Sequence, residues 1–347
     1  MIAAFVNFLV QVSIASSLIF IPLFAKELGA SDLEIGLITS FYSLSIFISS
    51  WFFGRLSDLY EKNFAALGLV LSSIFFALQS LASNSLQLLI VRTLLGFSLG
   101  IFPAALMSYA YKEEKKIGYF SAFGSLGWAF GQLAAGIIMF YDKIFIFGSI
   151  LTFIAFATSF FKIKPIKILT VRSQKRILKE NFRIYFAFFL RHVGASAVWL
   201  VFPIYLHQLG ISKFWIGVIY FANSFMQFFM MPRVEKFSSE KLITSGAIFS
   251  AFTFIFYSFL NCTWQFILIQ FLIAFGWSSI YVGALKALLE KNEEKGSVVG
   301  FLNSTIYFST IVGSVFGGII AEIFDYRSCM IFGAILCLLA AVIRDKR

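Results

Sequence analysis

The sequence predicts an all-α membrane protein of twelve transmembrane helices, built as two parallel six-helix halves. Three observations lead there: an apolar composition, twelve apolar stretches of membrane-crossing length, and a short motif that returns at the same place in each half.

Hydrophobic residues are 60% of the 347, charged residues 13%, and the mean hydropathy is +0.89. A soluble domain is roughly 45–50% apolar and about 25% charged. A soluble fold this apolar could not cover its surface with polar groups. The net charge of +11 is not gathered into a basic domain but lies in short segments between apolar runs, which argues against nucleic acid as a partner. Cys262, Cys329 and Cys337 match neither a disulfide framework nor a metal spacing, so no metal or cofactor is expected. The N-terminus runs straight into an apolar stretch without a charged leader, which reads as a first span and not a cleaved signal.

A spanning helix needs about 20 apolar residues. Such stretches occur at 2–25, 33–54, 64–82, 86–111, 117–140 and 143–161, and again at 182–206, 213–232, 241–260, 264–289, 297–321 and 327–343. The runs are continuous, where a barrel would show alternating segments of about ten residues. The longest connection is the basic linker 162–181, which separates a first bundle, 1–161, from a second, 182–347. Lys and Arg favour cytoplasmic loops. With the N-terminus inside, inner segments hold 21 basic residues and outer segments 4 (Lys26, Lys143, Lys213 and Arg327), so a multi-pass protein of the cell membrane with both termini cytoplasmic is expected.

The halves repeat. Leu28-Gly29-Ala30-Ser31-Asp32-Leu33-Glu34-Ile35-Gly36 returns as Leu209-Gly210-Ile211-Ser212-Lys213-Phe214-Trp215-Ile216-Gly217, with five of nine positions identical at an offset of 181. Pro22 and Pro203 share that offset. Parallel halves related by an axis along the membrane normal put a solute site between them, near mid-depth.

Between the second and third stretches lies Gly54-Arg55-Leu56-Ser57-Asp58-Leu59-Tyr60-Glu61-Lys62, and Arg92-Thr93-Leu94-Leu95-Gly96 falls in the fourth. The fifth carries Gly124, Gly127, Gly131 and Gly136. With the six-plus-six layout, these features resemble the major facilitator superfamily along essentially the whole chain. The resemblance implies a secondary transporter of a small solute, working by alternating access, and not an enzyme. It also implies a monomer. It makes Gly54, Arg55, Asp58 and Lys62 a cytoplasmic gate, although Leu59 and Glu61 depart from the usual basic residue and Gly. The fifth helix is similar to that of the family's drug exporters, but Gln132 follows Gly131 where proline is usual. Close helix packing is the main reading of Gly124, Gly127 and Gly131, and of the stripe Ser309-Gly313-Gly317-Ala321 in the eleventh helix.

All 17 acidic residues fall in loops or at helix ends, whereas Arg92, Arg191 and Lys286 lie within spans. Charges inside a membrane are costly and mark functional positions. Arg92 lies roughly 9 Å from the outer end of its helix and Arg191 roughly 13 Å from the inner end, while Lys286 is close enough to an end to snorkel. At the repeat offset Gln11 corresponds to His192, and at an offset of 178 Gln270 corresponds to Arg92. Asn7 precedes Gln11 by four residues, and Asn223 and Gln227 repeat that spacing. The expected cavity lining is therefore Asn7, Gln11, Arg92, Arg191, His192, Asn223, Gln227 and Gln270. Such a cavity is electropositive and suits organic anions or neutral solutes. A drug-type efflux carrier is the alternative within the class, and the coupling ion, a proton or another, stays open. A non-transporting receptor or a lipid-modifying enzyme would be a different class, but no cluster of nucleophile, metal ligands or paired carboxylates supports the enzyme. If the positive cavity is right, Arg92→Ala and Arg191→Ala each lower transport of the substrate in a flux assay; unchanged flux in both would refute it.

Overall fold

The computed structural model describes residues 1–59, 63–112, 117–163, 178–292 and 295–343. The first half comprises α1 (Ile2–Leu18), α2 (Ile21–Glu27), α3 (Asp32–Leu59), α4 (Phe64–Leu78), α5 (Ser85–Ile101), α6 (Pro103–Lys112), α7 (Ile117–Ile138) and α8 (Tyr141–Lys162). The second half comprises α9 (Phe182–Gln208), α10 (Lys213–Val234), α11 (Ser239–Tyr257), α12 (Thr263–Lys291), α13 (Lys295–Ile323) and α14 (Tyr326–Val342). The pairs α1–α2 and α5–α6 each act as one span, which makes twelve, six per half.

Local chemistry explains the interruptions. Pro22 stands in the first turn of α2 and Pro103 opens α6, positions where a missing N–H costs nothing. Pro203, the repeat partner of Pro22, sits inside an unbroken α9. The repeated nonapeptide forms the same turn twice. Gly29 (φ 83°) and Gly210 (φ 78°) take the left-handed conformation that ends a helix. In the first copy Ala30 N–H donates to the Ala25 carbonyl (2.9 Å) and Gly29 N–H to Lys26 (3.0 Å); in the second, Ile211 donates to Leu206 (3.1 Å) and Gly210 to His207 (3.0 Å).

The same motif then joins the halves. A Cβ added to Gly36 would lie 2.5 Å from the Ser314 carbonyl oxygen and 3.2 Å from Gly318 Cα, so α3 crosses α13 backbone to backbone. A Cβ on Gly217 would lie 2.5 Å from Gly136 Cα, and α10 crosses α7 in the same way. Both crossings lie toward the end of the bundle that carries the two turns, the turn end. There one apolar core runs through both halves, including Ile21, Ile35 and Phe145 from the first and Phe202, Ile216 and Tyr257 from the second. Toward the opposite, basic end the cores are separate. One gathers Val6, Leu69, Leu99 and Phe102, the other Phe188, Ile280, Ala284 and Leu302. Gly217→Val would force α7 and α10 apart; we expect at least a tenfold loss of transport at unchanged membrane abundance, read by flux against a fluorescent-fusion level.

Candidate functional site

Arg92 in α5 is 2% exposed. Its Nη1 donates to Ser17 Oγ of α1 (3.3 Å) and Gln79 Oε1 (3.2 Å), and its guanidinium lies 3.9 Å from the Tyr42 ring centre. Nε has no hydrogen-bond partner among the described residues. The three partners are polar or aromatic but uncharged, so the positive charge is solvated by dipoles and a π face without being neutralised. Tyr42 belongs to the first half's core at the basic end, and Tyr307 from α13 packs against that core.

Arg191 is also 2% exposed, but its side chain turns into its own half. Nε and Nη2 both donate to Ser250 Oγ of α11 (3.1 and 3.0 Å), and the guanidinium lies 5.1 Å from the Trp277 ring centre. Cys337 of α14 packs on its backbone, with Sγ 3.9 Å from the Arg191 carbonyl oxygen. The expectation of a residue on the face between the halves is not what this geometry displays, because α11, α12 and α14 receive the side chain and its backbone. His192, one position on, shares Trp277 with it. It stacks on Phe188 (5.9 Å) and approaches Trp277 (5.4 Å), and its Nδ1 has no partner among the described residues.

Gln270 is fully buried and accepts a hydrogen bond from Tyr257 OH at 3.2 Å. Gln79 with Arg92 and Tyr257 with Gln270 are the same pair in the two halves, displaced by 178 residues. Sequence symmetry singled out Arg92 and Gln270. It could also have found Gln79 and Tyr257, which were missed because the end of the third span read only as apolar.

The amide pairs lie each along one helix, and Asn7 also ties its helix to a neighbour. Asn7 Nδ2 donates to the Phe120 carbonyl of α7 (2.9 Å), and Gln11 Nε2 lies 3.4 Å from Asn7 Oδ1. Between α1 and α7, Gly127 and Gly131 leave room for only a backbone: a Cβ on Gly127 would lie 2.5 Å from the Phe8 oxygen, and one on Gly131 would collide with the Val12 oxygen, while Gly124 makes room for the Asn7 side chain, with a Cβ there 2.6 Å from Asn7 Nδ2. Gly313 and Gly317 lie equally close to Val193 and Ala197 of α9. Gln227 Nε2 donates to Asn223 Oδ1 at 2.8 Å in α10. Next to this pair, Gln132 of α7 reaches across the halves. With its amide nitrogen turned to α10 it donates to the Tyr220 carbonyl (2.9 Å) and Ser224 Oγ (2.7 Å), while its oxygen accepts from Trp128 Nε1 (3.0 Å). Sequence reasoning weighed Gln132 only as a missing proline.

Gly54 sits in α3 along with the backbones of Arg55 and Asp58, whereas Lys62 lies outside the described residues. Lys286 donates to the Glu235 and Phe237 carbonyls (3.0 and 3.1 Å) and so caps the end of α10. Gln132→Leu removes the hydrogen bonds to Ser224 Oγ, Trp128 Nε1 and the Tyr220 carbonyl and is expected to cost about 1–3 kcal/mol. In a double-mutant cycle with Ser224→Ala, thermal unfolding of the purified protein should then give a coupling of about 1 kcal/mol.

The comparisons with known proteins agree with this architecture. A profile of the Major Facilitator Superfamily matches residues 3–221 and 184–344. Multidrug resistance protein MdtG of Salmonella heidelberg is 27% identical over 361 residues, covering 93% of this chain and 87% of the relative. Quinolone resistance protein NorA of Staphylococcus aureus is 26% identical over 362 residues, covering 97% and 92%. Among solved structures, the nucleoside transporter NupG superposes with a TM-score of 0.79 at 12% identity, covering 98% of this chain and 96% of that one. The human organic anion transporter MFSD10 (TETRAN) gives 0.73 at 14% identity, covering 99% and 97%. Twelve spans in two repeated halves, with one apolar core across both at the turn end and separate cores at the other, thus coincide with a family match along the chain, and the protein belongs to the Major Facilitator Superfamily of membrane transporters.

Proposed function

We propose that the chain exports amphipathic organic solutes, neutral or anionic, by alternating access, and that the conformation described is its inward-facing state. The observation that carries this reading is the division of the apolar core: continuous across both halves at the turn end, separate at the basic end. A carrier closed outside and parted inside has this distribution. The excess of basic residues at the parted end supports a cytoplasmic side there, with both termini inside a cell membrane.

The charge of the solute follows from the field in the spans. Arg92 and Arg191 are buried and the acidic residues keep to loops and helix ends, so a cation would meet uncompensated repulsion in a medium of low dielectric. Arg92 is the group we assign to the solute path, because Tyr42 and Tyr307 connect its surroundings to the second half. Arg191 contributes charge from behind. Gln11, His192, Asn223 and Gln227 supply hydrogen bonds, with Asn7 and Gln270 more firmly engaged in holding their helices. The two halves of a single chain supply every helix of the path, so a monomer suffices. The relatives named for multidrug and quinolone resistance support export of organic compounds over uptake of a nutrient.

In everted membrane vesicles, the protein should accumulate a neutral or anionic aromatic dye and leave a cationic dye of similar size outside. Transport of the cation alone, or of none of the three, would overturn the assignment.

A further inference from the structure

The two crossings at the turn end share a geometry but not a chemistry. At the α3–α13 crossing, Ser31 and Glu34 form a reciprocal cap: Ser31 N–H donates to Glu34 Oε2 (2.9 Å) and Glu34 N–H to Ser31 Oγ (3.2 Å). The remaining donors of that first turn, the backbone N–H groups of Asp32 and Leu33, are taken by Glu322 Oε2 from the other half, at 2.7 and 3.3 Å. Glu322 is the penultimate residue of α13. A carboxylate there is misplaced for its own helix, whose C-terminus carries partial negative charge, and well placed for the N-terminus of α3. Its partner also makes the contact specific, since Asp32 Oδ1 accepts from Tyr326 OH (3.1 Å) and Lys26 Nζ (2.8 Å).

At the repeat offset, Asp32 becomes Lys213 and Glu322 corresponds to Tyr141. The α7–α10 crossing accordingly has no side-chain cap on α10. It has Lys213 Nζ over the Tyr141 ring (3.7 Å) and 3.3 Å from Glu27, whose carboxylate also accepts from Tyr141 OH. Glu322 and Glu27 are both exposed, but Glu322 meets fixed backbone donors of a helix N-terminus, whereas an ion pair between two flexible exposed side chains contributes little.

The geometry points to Glu322 as the latch of the outer gate: its carboxylate completes the cap of a helix in the opposite half only while the gate is shut, and this contact, not the Lys213–Glu27 pair, sets how often the gate opens. The inference rests on the alternating-access reading above. Separation of α13 from α3 removes the cap, and water inherits two backbone donors. A charged carboxylate is needed, because a neutral amide would face the helix N-terminus with a weaker dipole.

Ser40 lies below the crossing, buried, with Oγ 2.9 Å from the Ile311 carbonyl. A Ser40→Cys reporter, combined with Cys262→Ser to remove the exposed native thiol, reacts with a membrane-impermeant maleimide only when the gate opens outward. We expect Glu322→Ala and the isosteric Glu322→Gln to speed external labelling about fivefold or more, the scale of a lost N-terminal cap, and Lys213→Ala to change it less than twofold. Unchanged labelling in both Glu322 variants, or an equal rise with Lys213→Ala, would overturn the latch. Solute flux is measured in the same parent protein. Flux with no effect of Glu322 on labelling sinks the latch alone, whereas no flux in the parent sinks the carrier reading beneath it.

Discussion

Two places where glycine meets backbone, Gly36 against α13 and Gly217 against Gly136, decide how this molecule is assembled. In a bilayer no hydrophobic force drives one apolar helix toward another, so association depends on close packing and on hydrogen bonds that lipid cannot offer. Bare glycine surfaces bring the four central helices within backbone distance at one end. The shared core, the Gln132 bridge and the Glu322 contact all assemble around that approach. At the other end the halves keep separate cores.

Burying Arg92 and Arg191 carries an electrostatic cost. Neither is paired with a carboxylate among the described residues. Each instead has hydroxyl or amide dipoles and an aromatic face: Ser17, Gln79 and Tyr42 for one, Ser250 and Trp277 for the other. The two solutions are alike in kind but not symmetry-related, since Arg92 sits on α5 and Arg191 on α9. The repeat fixed the scaffold, and the charges were placed independently on it.

Much of this was legible in the sequence. Twelve apolar stretches reflect the lipid environment directly and specify the spans, and the duplicated nonapeptide specifies the two halves. Helix limits were less legible. The first span was read as one helix over 2–25, yet it breaks after Leu18 and resumes at Ile21 on Pro22. Likewise the span 86–111 is divided at Pro103. A proline in an apolar run can either break or bend a helix, and the choice is made by what packs on the freed carbonyls. Arg191 exposes another limit. Position along a helix gives depth, but rotation about the axis depends on neighbours 59 and 146 residues away, Ser250 and Cys337. Gln132 and Glu322 were missed for the same reason: each gains its meaning from a partner on another helix.

The unequal fate of the two repeat prolines carries a mechanical consequence. Pro22 marks a joint between α1 and α2, and Pro103 another between α5 and α6, while α9 and α12, their counterparts, run unbroken for 27 and 29 residues. A segmented helix can articulate where a continuous one transmits force as a rod. In a cycle that swings the halves past each other, the second half would serve as the stiff arm and the first as the half with elbows, so that the repeats, though copied from one pattern, share the work of motion unevenly.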